Sequence, residues 1–433
     1  MKKKKLLLTV LSFAFVGAAA FAFSSCSEDG ALRFTKIKGK EEYRVQGTIF
    51  SKGDIVIPST YKGLPVTEIK TDAFWRSSIK SIVIPDSITT IGEYAFSWCN
   101  KLKSVEIPDS VTSIGDCAFM GCYNLENIKF SDSVTSIGES VFFNCDGLTN
   151  VVIPDSVTFI GESAFSDCWN LISVEIGDSV TTIGDYAFSG CIGLTSIEIP
   201  DSVTSIDDCA FSRCNILKSI KVCEGNNSYK DIDGNLYSKD GSVLIQYAIG
   251  KVEDTFVVPD SVSIIGESAF EMADSLANIT IPDSVISIGE AAFSFCDVLA
   301  NVVIPDSVTS IADYTFYGCG SFTNIVIPDS VTSIGAFAFY DCINLTSVVI
   351  PSSVSSIGEH AFYGRGGLKN VYYKGNAETW ESIDINHDNI FPSEDKSSNE
   401  KLINATRYYY SETQPTTEGK YWYYNEDGEP TVW

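Results

Sequence analysis

Hydrophobic and polar positions recur along this chain with a period of 23 residues. Eleven copies, from the one aligned on Pro85 to the one aligned on Pro351, follow I-P-D-S-V-T-S-I-G-E-x-A-F-x-x-C-x-x-L-x-x-V-x. A looser twelfth copy begins at Pro58, and residues 223–258 form a copy expanded by thirteen residues. The expansion contains GNLYSKDGSVLIQY, which predicts two short strands about an Asp240-Gly241 turn. Such a period predicts a solenoid, in which each repeat buries its thin apolar face by stacking on its neighbours.

Each copy contains the spacing of a leucine-rich repeat strand. Leu102, Val105 and Ile107 occupy positions i, i+3 and i+5. Because side chains alternate along a strand, Val105 and Ile107 are expected to point into the core. Ser104 and Glu106 are then expected to face solvent.

The rest of the copy predicts a second strand and a turn. Proline ends the first strand because it cannot donate to a ladder, VTSI predicts a short second strand, and Gly115 ends it. Asp116–Leu125 predicts a short helical turn that begins at the acid. We therefore predict a β-rich leucine-rich repeat solenoid of the α/β-type horseshoe class, with stacked parallel strands, short second strands and short helical turns. Its core contains one phenylalanine from every copy: Phe96, Phe119, Phe142, Phe165, Phe188, Phe211, Phe270, Phe293, Phe316, Phe339 and Phe362.

Two motifs, IPxSVTSIGExAF and AFxxCxxLxxVxIP, resemble the BspA-like leucine-rich repeat family of bacterial surface proteins over about residues 43–373. YRVQGTIFSKGDIVIPSTYKGLPVTEI resembles an N-terminal cap, and VYYKGNAETWESI with the final tyrosine-rich segment resembles a closing cap. The resemblance implies extracellular binding to host proteins, matrix proteins or other cells, without catalysis. The predicted organisation is an export signal, a linker with an N-terminal cap, the solenoid and a C-terminal cap, at residues 1–25, 26–57, 58–373 and 374–433.

The N-terminus has the composition of an export signal. Lys2 to Lys5 precede an apolar stretch from Leu6 to Phe23, followed by Ser24, Ser25 and Cys26. The junction resembles the lipobox of bacterial lipoproteins, which implies that Cys26 carries a lipid and that the protein reaches the cell surface, at the outer membrane where the bacterium has one. A membrane-spanning anchor is the alternative, since the apolar stretch approaches spanning length.

The net charge narrows the range of partners. The chain has 30 basic and 56 acidic residues, and removal of residues 1–25 takes away four lysines and no acids. Such a surface repels phosphate backbones and anionic lipids. The sequence therefore argues against nucleic acid as a partner and leaves the N-terminal lipid as the membrane link.

Nine of the 13 cysteines occupy one repeat position, which favours reduced core thiols over a disulfide framework, because parallel ladder side chains are poorly oriented for bonding. Cys117, Cys209 and Cys223 lie off this ladder and could pair or react. The ladder cysteines are Cys99, Cys122, Cys145, Cys168, Cys191, Cys214, Cys296, Cys319 and Cys342.

The acidic residues also form rows, one after the proline and one after the Ile-Gly pair. Stacked carboxylates could bind calcium, but turn and helix-start roles account for both rows. Asp231-x-Asp233-x-Asn235 lacks the glycine and glutamate of an EF-hand loop. The only histidines, His360 and His387, have no nucleophile at a recognisable spacing. We expect no enzyme activity, cofactor or metal.

Function is expected at positions that vary within the constant repeat. Two turn series and one strand series change in the C-terminal third to aromatic or uncharged side chains, which are typical of interface cores. The alternative is that valine suits strands and tyrosine suits turn surfaces. The candidate partner-binding residues are Tyr314, Tyr317, Phe337, Tyr340, His360, Tyr363, Val303, Val326, Val349 and Tyr372.

The expected function is non-catalytic binding or adhesion to extracellular protein partners. The alternative is capture of glycans, in which exposed tyrosines and Trp98 or Trp169 stack on sugar rings. The sequence does not fix the oligomeric state.

Overall fold

The computed structural model describes residues 32–47, 50–385 and 399–433. It confirms the solenoid, in which each repeat adds one strand to each of two parallel stacks. The first stack contains the strands Lys52–Val56, Ser78–Val83, Ser104–Glu106, Asn127–Lys129, Asn150–Val152, Ser173–Glu175, Ser196–Ile199, Ser219–Val222, Thr255–Val257, Asn278–Thr280, Asn301–Val302, Asn324–Val326, Ser347–Ile350 and Asn370–Tyr373. The second stack contains Leu64–Ile69, Thr90–Ile91, Ser113–Ile114, Ser136–Ile137, Phe159–Ile160, Thr182–Ile183, Ser205–Ile206, Val243–Gln246, Ile264–Ile265, Ser287–Ile288, Ser310–Ile311, Ser333–Ile334, Ser356–Ile357 and Asp384–Ile385.

The strand register follows the repeat spacing. Val105 pairs with Ile128 of the next repeat. Val105 and Ile107 are buried, whereas Ser104 and Glu106 are exposed, as predicted. A strand with one apolar face therefore stacks on identical neighbours, and every inward position becomes a buried row.

The phenylalanines stack face to face through the core. Consecutive rings have centroids 5.0–5.8 Å apart and interplanar angles of 1–14°. Phe74, from the looser first copy, begins the row. The expanded repeat interrupts it, because Tyr247 rather than phenylalanine stacks on Phe270. The core accordingly divides into two clusters, one ending at Leu236 and the other beginning at Tyr237.

The segment between Gly115 and Cys122 is a run of tight turns, not the expected helical turn. Two of its residues, Cys117 and Gly121, have φ of 56° and 68°, values that an α-helix does not allow. Within the segment, the N–H of Ala118 bonds to Gly115 O and that of Met120 to Cys117 O. The N–H groups in between bond to the next repeat instead, so the segment combines turns with an inter-repeat ladder.

We call these inter-repeat bonds the turn ladder. In one interface they run from Cys117 N to Glu139 O, from Phe119 N to Val141 O and from Gly121 N to Phe143 O, at 2.9, 2.9 and 2.7 Å. At most of the left-handed positions, including Tyr94, Tyr314 and Phe337, the side chain is half-buried or exposed at the surface. We call this surface the turn face.

The expanded repeat has the predicted hairpin and one further strand. Asn235–Ser238 pairs antiparallel with Val243–Gln246 about Asp240-Gly241, as predicted, and Tyr229–Ile232 adds to the other side of Asn235–Ser238. Its turn segment is shorter than usual. From Leu244 in the second-stack strand to Phe256 in the next first-stack strand there are twelve positions. The equivalent step in a regular repeat, from Ile114 to Ile128, takes fourteen.

Both ends of the solenoid carry additional strands. Arg33–Lys36 pairs antiparallel with Tyr43–Gln46, which lies parallel to Leu64–Ile69. The short strand Thr60–Tyr61 pairs with Leu64–Ile69 as well.

At the C-terminus the first stack continues past residue 373. Thr406–Tyr410 pairs with Asn370–Tyr373, and Tyr421–Tyr424 and Pro430–Val432 follow. The helices are Ala377–Glu381 and Glu400–Asn404. Within the described ranges, no helix has both the length and the apolar character that a membrane crossing requires.

Candidate partner-binding face

Six candidate residues meet in one aromatic cluster on the turn face. The rings of Tyr314 and Phe337 are parallel, with centroids 4.9 Å apart, and so are those of Tyr317 and Tyr340. This follows from the repeat, which places equivalent side chains directly above one another. We define the aromatic cluster as Tyr314, Tyr317, Phe337, Tyr340, His360 and Tyr363.

The cluster continues into the last repeat. Tyr363 stacks on Tyr340 at 5.4 Å, and His360 packs against Phe337 at 5.0 Å. His360 Nε2 lies 3.3 Å from Glu359 Oε1, with both side chains largely buried. His360 Nδ1 and Glu359 Oε2 have no hydrogen-bond partner.

Phe295 also borders the cluster and was not among the sequence candidates. Its ring packs edge-on against Tyr317 with centroids 4.9 Å apart. It lies across Gly318, where an added Cβ would come within 2.8 Å of the ring. Trp98 lies across Gly121 in the same way. The sequence does contain a signal for this contact. An aromatic residue, Phe295, stands two positions after the core phenylalanine, and glycine, Gly318, occupies the equivalent position of the next repeat.

The strand-face candidates do not behave as one exposed series. Val303 and Val326 are exposed by 77% and 46%, as expected. Val349 is 2% exposed, and its selection as a surface residue is wrong. Tyr372 is half-buried and packs against Tyr408 and Trp422 of the C-terminal strands. These strands extend the stack and cover the last repeats, a tertiary contact that repeat spacing does not reveal.

A groove of about 650 Å³ runs along the turn face beside the aromatic cluster. Residues from both sides of the expanded repeat line it, because the shortened turn segment there leaves the turn face recessed. The lining residues are Ser163, Ser166, Asp167, Tyr186, Ser189, Ser212, Arg213, Glu267, Ser268, Glu271, Glu290, Ala291, Ser294, Phe295, Tyr314, Tyr317, Phe337 and Tyr340.

The groove is acidic and partly shielded from water. Burial raises the pKa values of Glu267, Glu271 and Glu290, and Arg213 opposes the shift at Glu271. Across the groove, Cys209 Sγ donates a hydrogen bond to Glu267 Oε1 at 3.5 Å. Carboxylates in such surroundings favour a cation over an anion or a neutral apolar group.

The other candidate chemistry is structural. Cys122 Sγ donates to Phe96 O at 3.1 Å, and the other ladder cysteines from Cys145 to Cys342 make the equivalent bond. None of the twelve described cysteines forms a disulfide. Asp116 Oδ1 accepts a hydrogen bond from Glu139 N of the next repeat, so this acid links neighbouring repeats. Over residues 32–47, 50–385 and 399–433, no group of three or more His, Cys, Asp or Glu side chains has metal-binding geometry. Cys26 and His387 lie outside the described residues.

A scan of family models finds the BspA type leucine rich repeat region, in six copies, over residues 67–192, 160–243 and 252–385. This match covers most of the chain. The chain belongs to the BspA-type leucine-rich repeat family. Members of this BspA-type family are generally non-catalytic, and the family match implies a protein-binding class of function.

Solved structures agree with the family assignment. A leucine rich cell surface protein from Faecalibacterium prausnitzii is 34% identical, with a TM-score of 0.73, and the match covers 85% of this chain and 99% of that one. The pneumococcal vaccine antigen PcpA matches at 21% identity and a TM-score of 0.65 over 89% and 93% of the two chains. A leucine-rich repeat protein from Eubacterium ventriosum matches at 21% identity and a TM-score of 0.52, over 87% of this chain and 97% of that one. The last two likenesses concern the fold alone. A comparison with curated proteins gives no significant match.

Proposed function

We propose that this BspA-type chain is an exported, lipid-anchored surface protein that binds extracellular protein partners through its turn face. The observation that carries the proposal is the aromatic cluster, in which residues from three successive repeats form one continuous patch beside a groove. Aromatic side chains held rigidly by stacking bring contact area to an interface at little entropic cost.

The position of the cluster within the repeat supports a binding role. Earlier copies carry Ser97, Ser166, Ser189 and Ser212 where the last three copies carry Tyr317, Tyr340 and Tyr363. Since serine serves the fold equally well at this position, the tyrosines are not required by the solenoid. Non-catalytic function fits the only described histidine, His360, whose ring packs within the cluster.

The proposal of export and anchorage is supported by the N-terminal sequence and by the similarity to a solved surface protein. The F. prausnitzii relative is described as a cell surface protein. Metabolic labelling with a radioactive fatty acid is expected to mark the wild-type chain and not Cys26→Ala. Label retained in Cys26→Ala would contradict lipidation at that residue.

Glycan capture is the weaker candidate. Sugar stacking needs an open ring face, but the faces of Tyr317 and Tyr340 cover one another at an interplanar angle of 2°. Trp98 lies across Gly121 and packs edge-on against Tyr123. Trp169 is 51% exposed and is the more open of the two tryptophan candidates for this activity.

A purified soluble fragment from Glu28 onward separates the two functions. We expect it to bind matrix proteins or cells and to give no signal on a glycan array. Binding to glycans that Trp169→Ala abolishes would favour the alternative, and failure on proteins, cells and glycans alike would overturn the proposal.

A further inference from the structure

The turn ladder is interrupted at one internal place, and the groove lies there. At ten interfaces between turn segments, from residues 72–76 to residues 337–341, three N–H groups of one repeat bond to three carbonyls of the next. At the expanded repeat the corresponding N–H groups of Cys209, Phe211 and Arg213 donate to no other described residue.

The opposite side of the interruption is also incomplete. The regular spacing would offer the carbonyls of Glu267, Ala269 and Glu271 as acceptors. The N–H of Tyr247 donates to the carbonyl of Ala269 at 2.9 Å. The carbonyls of Glu267 and Glu271 accept a hydrogen bond from no described residue. The shortened turn segment thus fills the core layer with Tyr247 but supplies no backbone at the surface.

The result is a slot bordered by backbone donors and by backbone acceptors. This is the pattern with which an extended polypeptide adds to an exposed ladder, through main-chain hydrogen bonds and alternating side chains. A bound glycan or a folded surface would not satisfy both rows in register.

The charge of the slot selects the side chains of the occupant. Glu267, Glu271 and Glu290 line it together with Asp167, and Arg213 is the one basic residue of its lining. Opposite charge across an interface contributes specificity and association rate. A basic segment is therefore favoured over a neutral or an acidic one.

We propose that the groove binds an extended, arginine- or lysine-bearing segment of a partner protein, which pairs with the free backbone groups at Cys209 to Arg213 and with the groove carboxylates. This inference rests on the proposed binding function and names the chemistry of the partner at that site. The aromatic cluster forms the adjoining wall.

The test uses a short labelled peptide of alternating arginine and threonine, with a glutamate-for-arginine peptide as the charge control. The groove variant is Glu267→Gln/Glu271→Gln/Glu290→Gln. The matched variant, Glu93→Gln/Glu126→Gln/Glu139→Gln, removes three exposed carboxylates elsewhere, so its net charge equals that of the groove variant. Thermal melts verify that both variants fold.

We expect the basic peptide to bind and the acidic one not to bind. The groove variant should weaken binding by at least about tenfold, and the matched variant by less than about twofold. Hydrogen exchange of the full chain gives the backbone readout, independent of the variants. The amides of residues 207–214 should become protected on peptide binding, while those of 184–192, already in the ladder, should not change.

Equal weakening by both variants would show general attraction to an acidic protein and overturn the inference. The inference would also be overturned if the basic peptide did not bind. It would be overturned likewise if the peptide bound and the hydrogen exchange of residues 207–214 did not change. These failures are distinguishable from failure of the proposed function, because loss of cell or matrix binding on changing the aromatic cluster does not depend on the basic peptide.

Discussion

Tyr247 stacks on Phe270 with ring centroids 5.0 Å apart, in the layer that phenylalanine occupies in every other full repeat. Tyr247 thereby fills the core layer next to Phe270 at the expanded repeat, while the turn ladder outside it is interrupted. A groove can form at this place because the core and the turn face are built by different residues of one repeat.

The phenylalanine row should dominate stability. We expect Phe188→Ala to reduce the free energy of unfolding by roughly 3 to 5 kcal/mol, because a fully buried ring stacked on both sides leaves a cavity. Thermal and urea melts measure the change. Ile192→Ala, which truncates a side chain that is 42% exposed, is the control and should shift the melt much less. Equal shifts would contradict the inward assignment.

The ladder thiols should be unreactive in the folded protein. Burial raises the pKa of Cys168 to about 12 and that of Cys223, which is partly exposed, to about 11. A raised pKa keeps the thiol protonated at pH 8, so alkylation by iodoacetamide should be slow there. The rate of alkylation should increase as the pH approaches 11, and it should increase first at Cys223. A reducing agent should leave the melting temperature unchanged, and a marked drop would indicate structural disulfides.

The groove carboxylates should make stability depend on pH in an unusual direction. Burial raises the folded-state pKa of Glu271, so the folded protein binds more protons than the unfolded chain between the ordinary glutamate pKa and the raised value. This contribution makes the fold more stable as pH falls into that window. Glu271→Gln should therefore raise the melting temperature at pH 7 and flatten its pH dependence. A lower melting temperature at pH 7 would contradict the burial argument.

Calcium should not stabilise the fold. In the two acidic rows, Asp116, Asp155, Asp185 and Asp313 each accept a backbone N–H group of the next repeat. We expect melts with calcium and with chelator to coincide. A strong upward shift with calcium would show that the acidic rows converge on the ion.

The repeat spacing was sufficient to predict the two strand stacks, the inward row of phenylalanines and the buried row of cysteines. These features depend on contacts between equivalent positions, which a period of 23 residues specifies directly. The left-handed turns were not predicted, because residues as different as Tyr94, Cys117 and Ser140 share that conformation. Inter-repeat hydrogen bonds stabilise it in place of local propensity.

The site was predicted only in part. The Tyr317 and Tyr314 series were recognisable because their members are one repeat apart. The groove depends on a turn segment two residues shorter in the expanded repeat, and the burial of Val349 accompanies strands beyond residue 373. Contacts between residues that do not share a repeat position are not encoded in the period.

The central claim, that the aromatic cluster binds the partner, is tested most directly by Tyr317→Ser/Tyr340→Ser/Tyr363→Ser in cell and matrix binding assays with the soluble fragment. Serine occupies the same position in other repeats, so the fold should be retained. A control triple, Tyr61→Ser/Tyr94→Ser/Tyr123→Ser, changes three half-buried tyrosines at the other end of the solenoid. We expect the first variant to lose at least about tenfold in affinity, as interface aromatics typically contribute, and the control to retain binding. Unchanged binding by the first variant would contradict the account.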